Sequence, residues 1–310
     1  MVRDSRKKGG AGPGGTVGLD NSQLAAMTRL FSSAVFREMA KRGRSAMFTR
    51  LLGQTQILPS GAEVTVADAF NSAFQVLKTS GLRDEYIYRA ALTQKVLMGK
   101  HSLNTACMLN EFRAGTCKAD LVILNGTATV YEIKSERDSL DRLVNQISNY
   151  KKVFAKIYVI AAEGHVQKVL QIVPKDVGVL KLSKRYQISA MREAADRSRH
   201  IDPVAIFESL RSAEAQTVLG ELGVAIPELP NTKLHSAMRE LFRQLDPRDV
   251  QTTMVKVLKQ TRDLAPLIDL VERLPASLHA AALSIPVRRA DHERLVQAVE
   301  TPLRAAMAWA

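Results

Sequence analysis

The segment from Lys118 to Tyr150, KADLVILNGTATVYEIKSERDSLDRLVNQISNY, places the strongest constraint on the fold of this chain. Two short apolar runs separated by an Asn-Gly pair are typical of a β-hairpin, and polar residues at helical spacing follow them. Three ionisable residues interrupt the apolar runs: Asp120 begins the first, and Glu132 and Lys134 end the second. Burial of a charged group costs free energy unless the group is paired or binds a metal. We therefore expect these three residues to have a functional reason.

The length of the hairpin turn determines which of these side chains share a face. A two-residue turn at the Asn-Gly pair sets Ala119 opposite Glu132. A three-residue loop over residues 125–127 instead sets Asp120 opposite Glu132. Because side chains alternate between the two faces of a strand, Lys134 then lies on the same face as the carboxylates. We predict the three-residue loop, since only this register brings the two carboxylates together.

Two carboxylates and an ammonium at one end of a buried sheet suit a magnesium site. Mg²⁺ prefers oxygen ligands, usually takes one or two carboxylates and keeps several waters or phosphate oxygens. Bound there, it polarises a phosphodiester and lowers the pKa of a bound water, while Lys134 orients that water or offsets charge at the phosphate. The alternative is a buried salt bridge between Lys134 and one carboxylate, with the other carboxylate solvated at the edge of the sheet.

The sequence around the hairpin predicts a mixed α/β sheet with helices before and after it. Apolar residues at three- and four-residue spacing predict amphipathic helices from about Asn21 and over Val66–Lys78. A basic cluster between Arg37 and Arg50 is either a solvated face or a contact to the DNA backbone. The later predicted elements are a helix (84–99), three strands (105–111, 119–124, 128–134), a helix (138–150), a strand (156–161), a helix (163–171) and a strand (178–182).

This pattern divides the chain into four regions. Residues 1–20 are basic and Gly-rich and are expected to be a disordered tail. Residues 21–83 form a helical N-terminal region, and residues 84–185 form an α/β core whose sheet closes near Lys184. Residues 186–310 form a helical C-terminal module without a recognisable motif. We expect that module to contact a partner protein or a second copy of the chain.

The net charge of +13 is unevenly distributed along the chain. Residues 201–310 contain 13 Lys or Arg and 14 Asp or Glu, whereas residues 1–200 contain 31 and 17. The excess positive charge therefore lies in the part that contains the hairpin, as expected for a protein that meets a polyanion. DNA is the expected partner, with RNA as the alternative.

Several other classes of protein are disfavoured. No apolar run approaches the roughly 20 residues that span a membrane, and the basic first residues lead into glycine rather than into an apolar signal segment. Cys107 and Cys117 fit neither a zinc pattern nor a disulfide framework, so the expected location is a reducing cytoplasm. The chain has no G-x-x-x-x-G-K-[ST] loop, which argues against an ATP-driven motor.

Asp120, with the Glu-Ile-Lys that begins at Glu132, resembles the motif of the PD-(D/E)XK nuclease superfamily. That superfamily has a restriction-endonuclease-like α/β core in which a helix, three strands, a helix and a strand follow one another (αβββαβ). The Q-x-x-x-Y spacing of Gln146 and Tyr150 is similar to the mark of its RecB-like exonuclease branch. The wider pattern, over about residues 85–182, resembles a group of uncharacterised bacterial proteins assigned to this superfamily.

The resemblance implies a metal-dependent nuclease that hydrolyses phosphodiester bonds of DNA, with Mg²⁺ or Mn²⁺ as cofactor. It implies that Asp120 and Glu132 are metal ligands and that Lys134 acts at the attacking water. A third acidic ligand often comes from an earlier element, and Glu111 is the candidate in this chain. Ala119 replaces the Pro of the motif, a residue that does no chemistry.

Two further catalytic candidates lie on the helix that follows the hairpin. Gln146 and Tyr150 are four residues apart and share one helix face, from which we expect them to contact the attacking water or the DNA backbone. The upstream His of the RecB-like branch has no firm counterpart, and His101 is a weakly placed candidate. Gln146 and Tyr150 are nevertheless expected to belong to the site.

The basic residues around that helix are candidates for contact with nucleic acid. Arg142 shares the face of the catalytic candidates and binds either a phosphate or Asp138, which otherwise caps the helix. Lys151 and Lys152 extend the basic surface and either face the DNA backbone or are solvated.

The predicted function is a Mg²⁺-dependent deoxyribonuclease acting in phage defence, mobile-element biology or repair. The alternative is a nuclease fold without catalytic activity that binds nucleic acid or a partner protein. An intact set of carboxylates and lysine favours the enzyme, because a binding module does not need these residues.

Overall fold

A six-stranded mixed β-sheet flanked by helices forms the framework of the chain. The computed structural model describes residues 20–55 and 63–309, so the predicted tail lies outside the described residues apart from Asp20. The strands lie in chain order across the sheet: β1 (Cys107–Ala114), β2 (Cys117–Asn125), β3 (Thr127–Lys134), β4 (Lys156–Ala162), β5 (Gly178–Leu182) and β6 (Ile188–Arg192). β3, β4 and β5 are parallel, and the other neighbouring pairs are antiparallel. The predicted mixed α/β class is confirmed.

Helices precede, interrupt and follow the sheet. Those before it are α1 (Asn21–Leu30), α2 (Ser33–Arg42), α3 (Ala46–Thr55), α4 (Val66–Thr79), α5 (Glu85–Leu92) and α6 (Met98–Lys100), the last two joined by a π-helical turn, Thr93–Leu97. Those between strands are α7 (Leu143–Tyr150) and α8 (Val166–Ile172). Those after it are α9 (Pro203–Ser209), α10 (Ser212–Glu221), α11 (Asn231–Arg243), α12 (Pro247–Thr261), α13 (Ile268–Arg273), α14 (His279–Ser284), α15 (His292–Glu300) and α16 (Leu303–Ala306). Within the described ranges no helix is long and apolar enough to cross a membrane.

The β2–β3 hairpin has the predicted register. Leu124 pairs with Ala128, and Gly126 lies at the tip of the turn. Gly126 has a φ of 68°, a left-handed conformation that glycine adopts without the steric cost of a side chain. Continuing the same register along the strands places Asp120 across from Glu132.

The sheet extends beyond the predicted end of the core at residue 185. β6 returns antiparallel to β5 after a turn in which Tyr186 has a φ of 58°. The sequence instead predicted that the sheet closes near Lys184 and that a helical module begins at residue 186. β6 is mostly exposed, so it lacks the apolar run that identifies a buried strand. The sheet therefore ends one strand later than predicted.

The buried apolar side chains form one cluster that extends from α1 to α16. Helices from before, within and after the sheet pack against the strands, among them α5, α7, α9 and α12. The segment before α4 also meets the segment before α16: the Val66 N–H donates to the Thr301 carbonyl at 3.0 Å, and the Leu303 N–H donates to the Val64 carbonyl at 2.7 Å. The terminal helices thus share a core with the sheet.

Candidate active site

β3 ends in a buried charged pair that is hydrogen-bonded to α7. Lys134 Nζ donates to Glu132 Oε1 at 2.8 Å and to Gln146 Oε1 at 3.0 Å. Tyr150 Oη donates to the other carboxylate oxygen, Glu132 Oε2, at 2.7 Å. The side chain of Glu132 is 1% exposed and that of Lys134 is 6% exposed. The structure therefore brings four of the five predicted catalytic residues into one hydrogen-bonded chain.

Asp120, the fifth predicted catalytic residue, approaches this chain from β2. Its Oδ2 accepts the Ile133 N–H at 2.7 Å. Burial, and after it the negative charge of Glu132, raises the pKa of Asp120 to about 7; Glu85 adds to the rise, while the Ile133 N–H and Lys134 oppose it. The environment of Asp120 therefore disfavours negative charge, and a cation bound beside it would relieve that cost.

Tyr150 holds Glu132 in place as a neutral donor. Burial raises the pKa of the Tyr150 phenol far above its usual value, and the charge of Glu132 raises it further. The same hydroxyl lies 2.9 Å from the Lys118 carbonyl oxygen of β2. Because the phenol stays protonated, Tyr150 positions the Glu132 carboxylate and links α7 to the hairpin.

The segment between β3 and α7 differs from the prediction. Asp138 Oδ2 accepts the backbone N–H and the hydroxyl of Ser135 at 2.8 and 2.6 Å, and α7 begins only at Leu143. Asp138 therefore neither caps the helix nor pairs with Arg142, and both alternatives offered by the sequence are wrong. Short polar side chains in this segment bond to nearby backbone N–H groups, which competes with helix formation.

A buried network around Arg83, which the sequence did not reveal, holds the residues that directly follow Lys134. Arg83 is 2% exposed and donates to the carbonyls of Leu182 and Ser183 at 2.9 and 2.7 Å. Its Nε donates to Glu136 Oε1 at 2.8 Å, and Tyr88 Oη donates to Glu136 Oε2 at 3.0 Å. The network joins the start of α5, the end of β5 and the residues just after Lys134. Because its members are far apart in the sequence, no spacing pattern could have indicated it.

Glu111, the predicted third metal ligand, is not grouped with the other carboxylates. It has a φ of 49°, which interrupts the β1–β2 ladder, and its carboxylate contacts Lys118 Nζ at 3.2 Å. The side chain is 69% exposed. Over residues 20–55 and 63–309, no group of three or more His, Cys, Asp or Glu side chains is arranged to hold a metal ion.

Glu85 is an acidic residue near the site that the sequence did not single out. Its negative charge raises the pKa of Asp120, and its carboxylate is paired with Arg89 one turn further along α5. An acidic residue in the first turn of a helix is commonplace because it complements the helix dipole. The position alone therefore gave no signal of a functional role.

The basic candidates differ in how free their charges are. Arg142 is exposed at the start of α7, and Lys152 is exposed just after it. Lys151 Nζ, by contrast, is bound to Asp176 Oδ1 at 2.8 Å. His101 Nδ1 lies 2.7 Å from Asn125 Nδ2, at the turn end of the hairpin and thus at the opposite end of β2 from Asp120. Arg142 and Lys152 remain the candidates with available charge.

Comparison with known proteins gives a match that contains the whole sheet. Residues 78–265 match the protein family described as Bacteriophage P4 protein cII. Protein cII of Enterobacteria phage P4 is 30% identical over 135 residues, which are 41% of this chain and 50% of that protein. The chain thus spans about half the length of this curated relative. Among solved structures, a protein of unknown function from Silicibacter pomeroyi aligns with a TM-score of 0.27 and 18% identity, over 40% of this chain and 86% of that one, a score too low to inform the fold.

Proposed function

This chain belongs to the bacteriophage P4 protein cII family, and we propose that it is a metal-dependent nuclease that hydrolyses phosphodiester bonds of DNA. The observation that carries the proposal is the position of Lys134 Nζ, which is bound to both Glu132 and Gln146 beside Asp120. A buried lysine held between a carboxylate and an amide, next to a second carboxylate at the end of a hairpin, suits chemistry on a phosphate group.

We further propose that the core has the PD-(D/E)XK arrangement. In chain order, α5, β1, β2, β3, α7 and β4 give a helix, three strands, a helix and a strand. β1 to β3 are antiparallel and β4 adds in parallel to β3, so the motif residues fall on two central strands and the helix between β3 and β4. This order supports the resemblance that the motif suggested.

The chemistry of the donor atoms fits a divalent cation such as Mg²⁺ or Mn²⁺. Asp120 Oδ2 accepts the Ile133 N–H, which leaves Oδ1 without a hydrogen bond from the described residues. Asp120 and Glu132 would hold the ion, since Mg²⁺ usually takes one or two carboxylates and completes its shell with water or phosphate oxygens. When bound, such an ion supplies Lewis-acid activation of the phosphate and of an attacking water.

The remaining groups position the reactants. An ammonium has three N–H donors, and Lys134 uses two of them on Glu132 and Gln146, so that one remains for the attacking water or a phosphate oxygen. The Gln146 amide nitrogen is a further donor. Tyr150 keeps Glu132 in a fixed orientation. Water would attack phosphorus and the bond to the 3′ oxygen would break, which leaves a 5′-phosphate and a 3′-hydroxyl.

One observation favours a second candidate, a nuclease fold that binds nucleic acid or a protein without cleaving. Both carboxylate oxygens of Glu132 are occupied, one by Lys134 and one by Tyr150. A metal ligand at this position must therefore share or exchange one of these partners. A purely structural salt bridge would have the same contacts.

Cleavage of a panel of substrates separates the two candidates. Linear, nicked, circular and single-stranded DNA, and RNA, are incubated with the purified protein with and without Mg²⁺. We expect Mg²⁺-dependent cleavage of DNA that falls by about 10²–10³-fold in Asp120→Asn. Asp141→Asn, an exposed aspartate beside Ser139, is the matched control and should cleave normally. Binding without cleavage by the wild-type protein would favour the second candidate.

The biological setting is also a proposal. The predicted settings were phage defence, mobile-element biology and repair, and the relative from Enterobacteria phage P4 supports mobile-element biology among them. The even charge balance of residues 201–310 is compatible with a protein partner for the C-terminal helices.

A further inference from the structure

A polar cavity of about 500 Å³ lies among α5, β1, α14 and the connection between α1 and α2. The lining side chains that matter here are Ser32, Arg37, Tyr86, Arg89 and Asn110. Ser32 and Arg37 lie outside residues 78–265, the range that matches the family. The cavity is therefore completed by helices that flank the matched region.

Two residues that line the cavity each carry a buried polar atom that lacks the hydrogen bonds such atoms normally make. Ser32 Oγ and Arg89 Nε are buried and have no partner among the described residues. Ser32 precedes α2 in the N-cap position, where a serine usually bonds to the helix backbone, but its side chain makes no such bond. An unsatisfied buried polar atom costs free energy, so two of them in the wall of one cavity indicate a polar occupant.

The charges in the wall favour an anionic occupant. Arg89 is paired with Glu85, and Glu111 is paired with Lys118, so these four charges balance. Arg37 is exposed and has no ion-pair partner within the described residues, which leaves one guanidinium unneutralised at the cavity. A guanidinium presents paired donors that match the oxygens of a phosphate.

The cavity lies next to the candidate active site. Asn110 of β1 pairs with Leu121 of β2, and Phe112 pairs with Ala119. Glu111, which lines the cavity, therefore lies opposite Asp120 on the neighbouring strand. Glu85 connects the same two places, because its carboxylate pairs with Arg89 and its charge acts on Asp120. A strand bound at the site can therefore present a neighbouring phosphate to the cavity.

We propose that this cavity binds a phosphate group of the nucleic-acid strand adjacent to the bond that is hydrolysed, with Arg37 and Ser32 as donors. The inference rests on the proposed nuclease function, because it assigns part of the substrate to a subsite. The phosphate is either an internal diester or the terminal monoester of a strand end, and both offer oxygens to the same donors.

Binding of a labelled oligonucleotide to the full-length protein in EDTA tests the inference without cleavage. Fluorescence anisotropy is measured with a 5′-phosphorylated and a 5′-hydroxyl single strand for the wild type, Arg37→Ala and Arg42→Ala. Arg42 lies on the same helix, is 66% exposed and pairs with Glu38, so its replacement removes an equal charge away from the cavity. We expect Arg37→Ala to weaken binding about tenfold and to reduce the salt dependence by about one phosphate contact, and Arg42→Ala to change it less than twofold.

A second variant, Ser32→Ala, excludes an effect on folding. Its hydroxyl makes no bond in the free protein, so the variant should unfold at the wild-type temperature or above, yet bind about threefold more weakly. Loss of affinity for both strands indicates an internal phosphate, and loss confined to the 5′-phosphorylated strand indicates a terminal one. An Arg37→Ala affinity within twofold of Arg42→Ala, or an unchanged Ser32→Ala affinity, overturns the inference. Wild-type binding without cleavage in Mg²⁺ would instead contradict the nuclease function itself.

Discussion

At the scale of single residues, the site combines a satisfied carboxylate with an unsatisfied one. Glu132 has a partner on each oxygen, whereas Asp120 has one backbone N–H and a field that opposes its charge. The first arrangement compensates for the cost of burying the Glu132 carboxylate. The second is typical of a group whose charge is stabilised only when a ligand arrives.

The raised pKa of Asp120 makes the stability of the protein depend on pH. Between about pH 4 and pH 7 the folded protein retains a proton on Asp120 that the unfolded chain has lost, so the free energy of unfolding falls as the pH rises. Asp120→Asn removes this loss. In EDTA we expect the free energy of unfolding of the variant to exceed that of the wild type by on the order of 2–4 kcal/mol at pH 8, and by much less at pH 5.

Urea unfolding at the two pH values measures this difference. Mg²⁺ should narrow the gap at pH 8, because a cation beside Asp120 stabilises the ionised form of the wild type only. An equal difference between variant and wild type at both pH values would show that Asp120 ionises normally in the folded protein.

The hydroxyl of Tyr150 is expected to matter more for stability than a comparable one nearer the surface. Tyr150→Phe removes a donor from the buried Glu132 carboxylate, which should cost about 1–3 kcal/mol. Tyr158→Phe is the matched control: its hydroxyl bonds to the Glu193 carboxylate at 2.5 Å near the surface and should cost less than about 1 kcal/mol. Urea unfolding measures the loss of stability in each variant. Equal losses for Tyr150→Phe and Tyr158→Phe would contradict the positioning role of Tyr150.

At the scale of secondary-structure elements, the β2–β3 hairpin determines the site. Its register brings Asp120 and Glu132 together, and the turn that sets the register requires a left-handed residue at Gly126. The conformation of the turn therefore determines which residues of β2 and β3 pair. A change at the tip affects the separation of the carboxylates.

Substitutions at two glycines distinguish the effect of backbone conformation from the effect of packing, because neither site would suffer a steric clash. An added Cβ would meet no atom within 4 Å at Gly126 or at Gly53 in α3. Gly126→Ala should destabilise by about 1 kcal/mol because of its positive φ, whereas Gly53→Ala should stabilise by about 0.5–1 kcal/mol as a helix-interior substitution. Thermal unfolding of the two variants gives the signs. A stabilising Gly126→Ala would contradict the turn geometry.

The hairpin could be predicted from the sequence because its signals are local. An Asn-Gly pair between apolar runs and charges at one end define the register without knowledge of the rest of the chain. β6 could not be predicted, since it is an exposed edge strand without an apolar pattern. The late start of α7 was missed because side-chain bonds such as Ser135 to Asp138 override a helical pattern.

At the scale of the whole molecule, helices from before and after the sheet pack against each other. Thr65 and Pro302 form an isolated bridge, and α2 packs on α15. The sequence predicted helices at both ends, but not that they share a core, because contacts between residues over 200 positions apart leave no periodic signal. The separation of Glu111 from the other carboxylates could not be predicted for the same reason: Glu111 is close to Asp120 in strand register, but the conformation of its backbone is a tertiary property.

A shared core predicts one unfolding transition for the whole chain. Calorimetry of the full-length protein should give a single transition whose van't Hoff and calorimetric enthalpies agree. Removal of residues 203–310 would expose the apolar faces of α5, β1 and β2 and should abolish cooperative unfolding rather than leave an intact core. Two separate transitions, or a stable truncated core, would contradict a common core.

The most direct test of the central claim compares the wild type with Lys134→Gln in a single-turnover cleavage assay. Glutamine retains a donor for Glu132 but leaves this buried carboxylate without its counter-charge, so the assay is run at a temperature at which circular dichroism shows the variant to be folded. Binding of DNA in EDTA by the folded variant should be preserved. We predict Mg²⁺-dependent cleavage of DNA by the wild type and a loss of at least about 10²-fold in the variant. Equal cleavage rates for the two proteins, or a wild type that binds DNA but does not cleave it, would contradict the account.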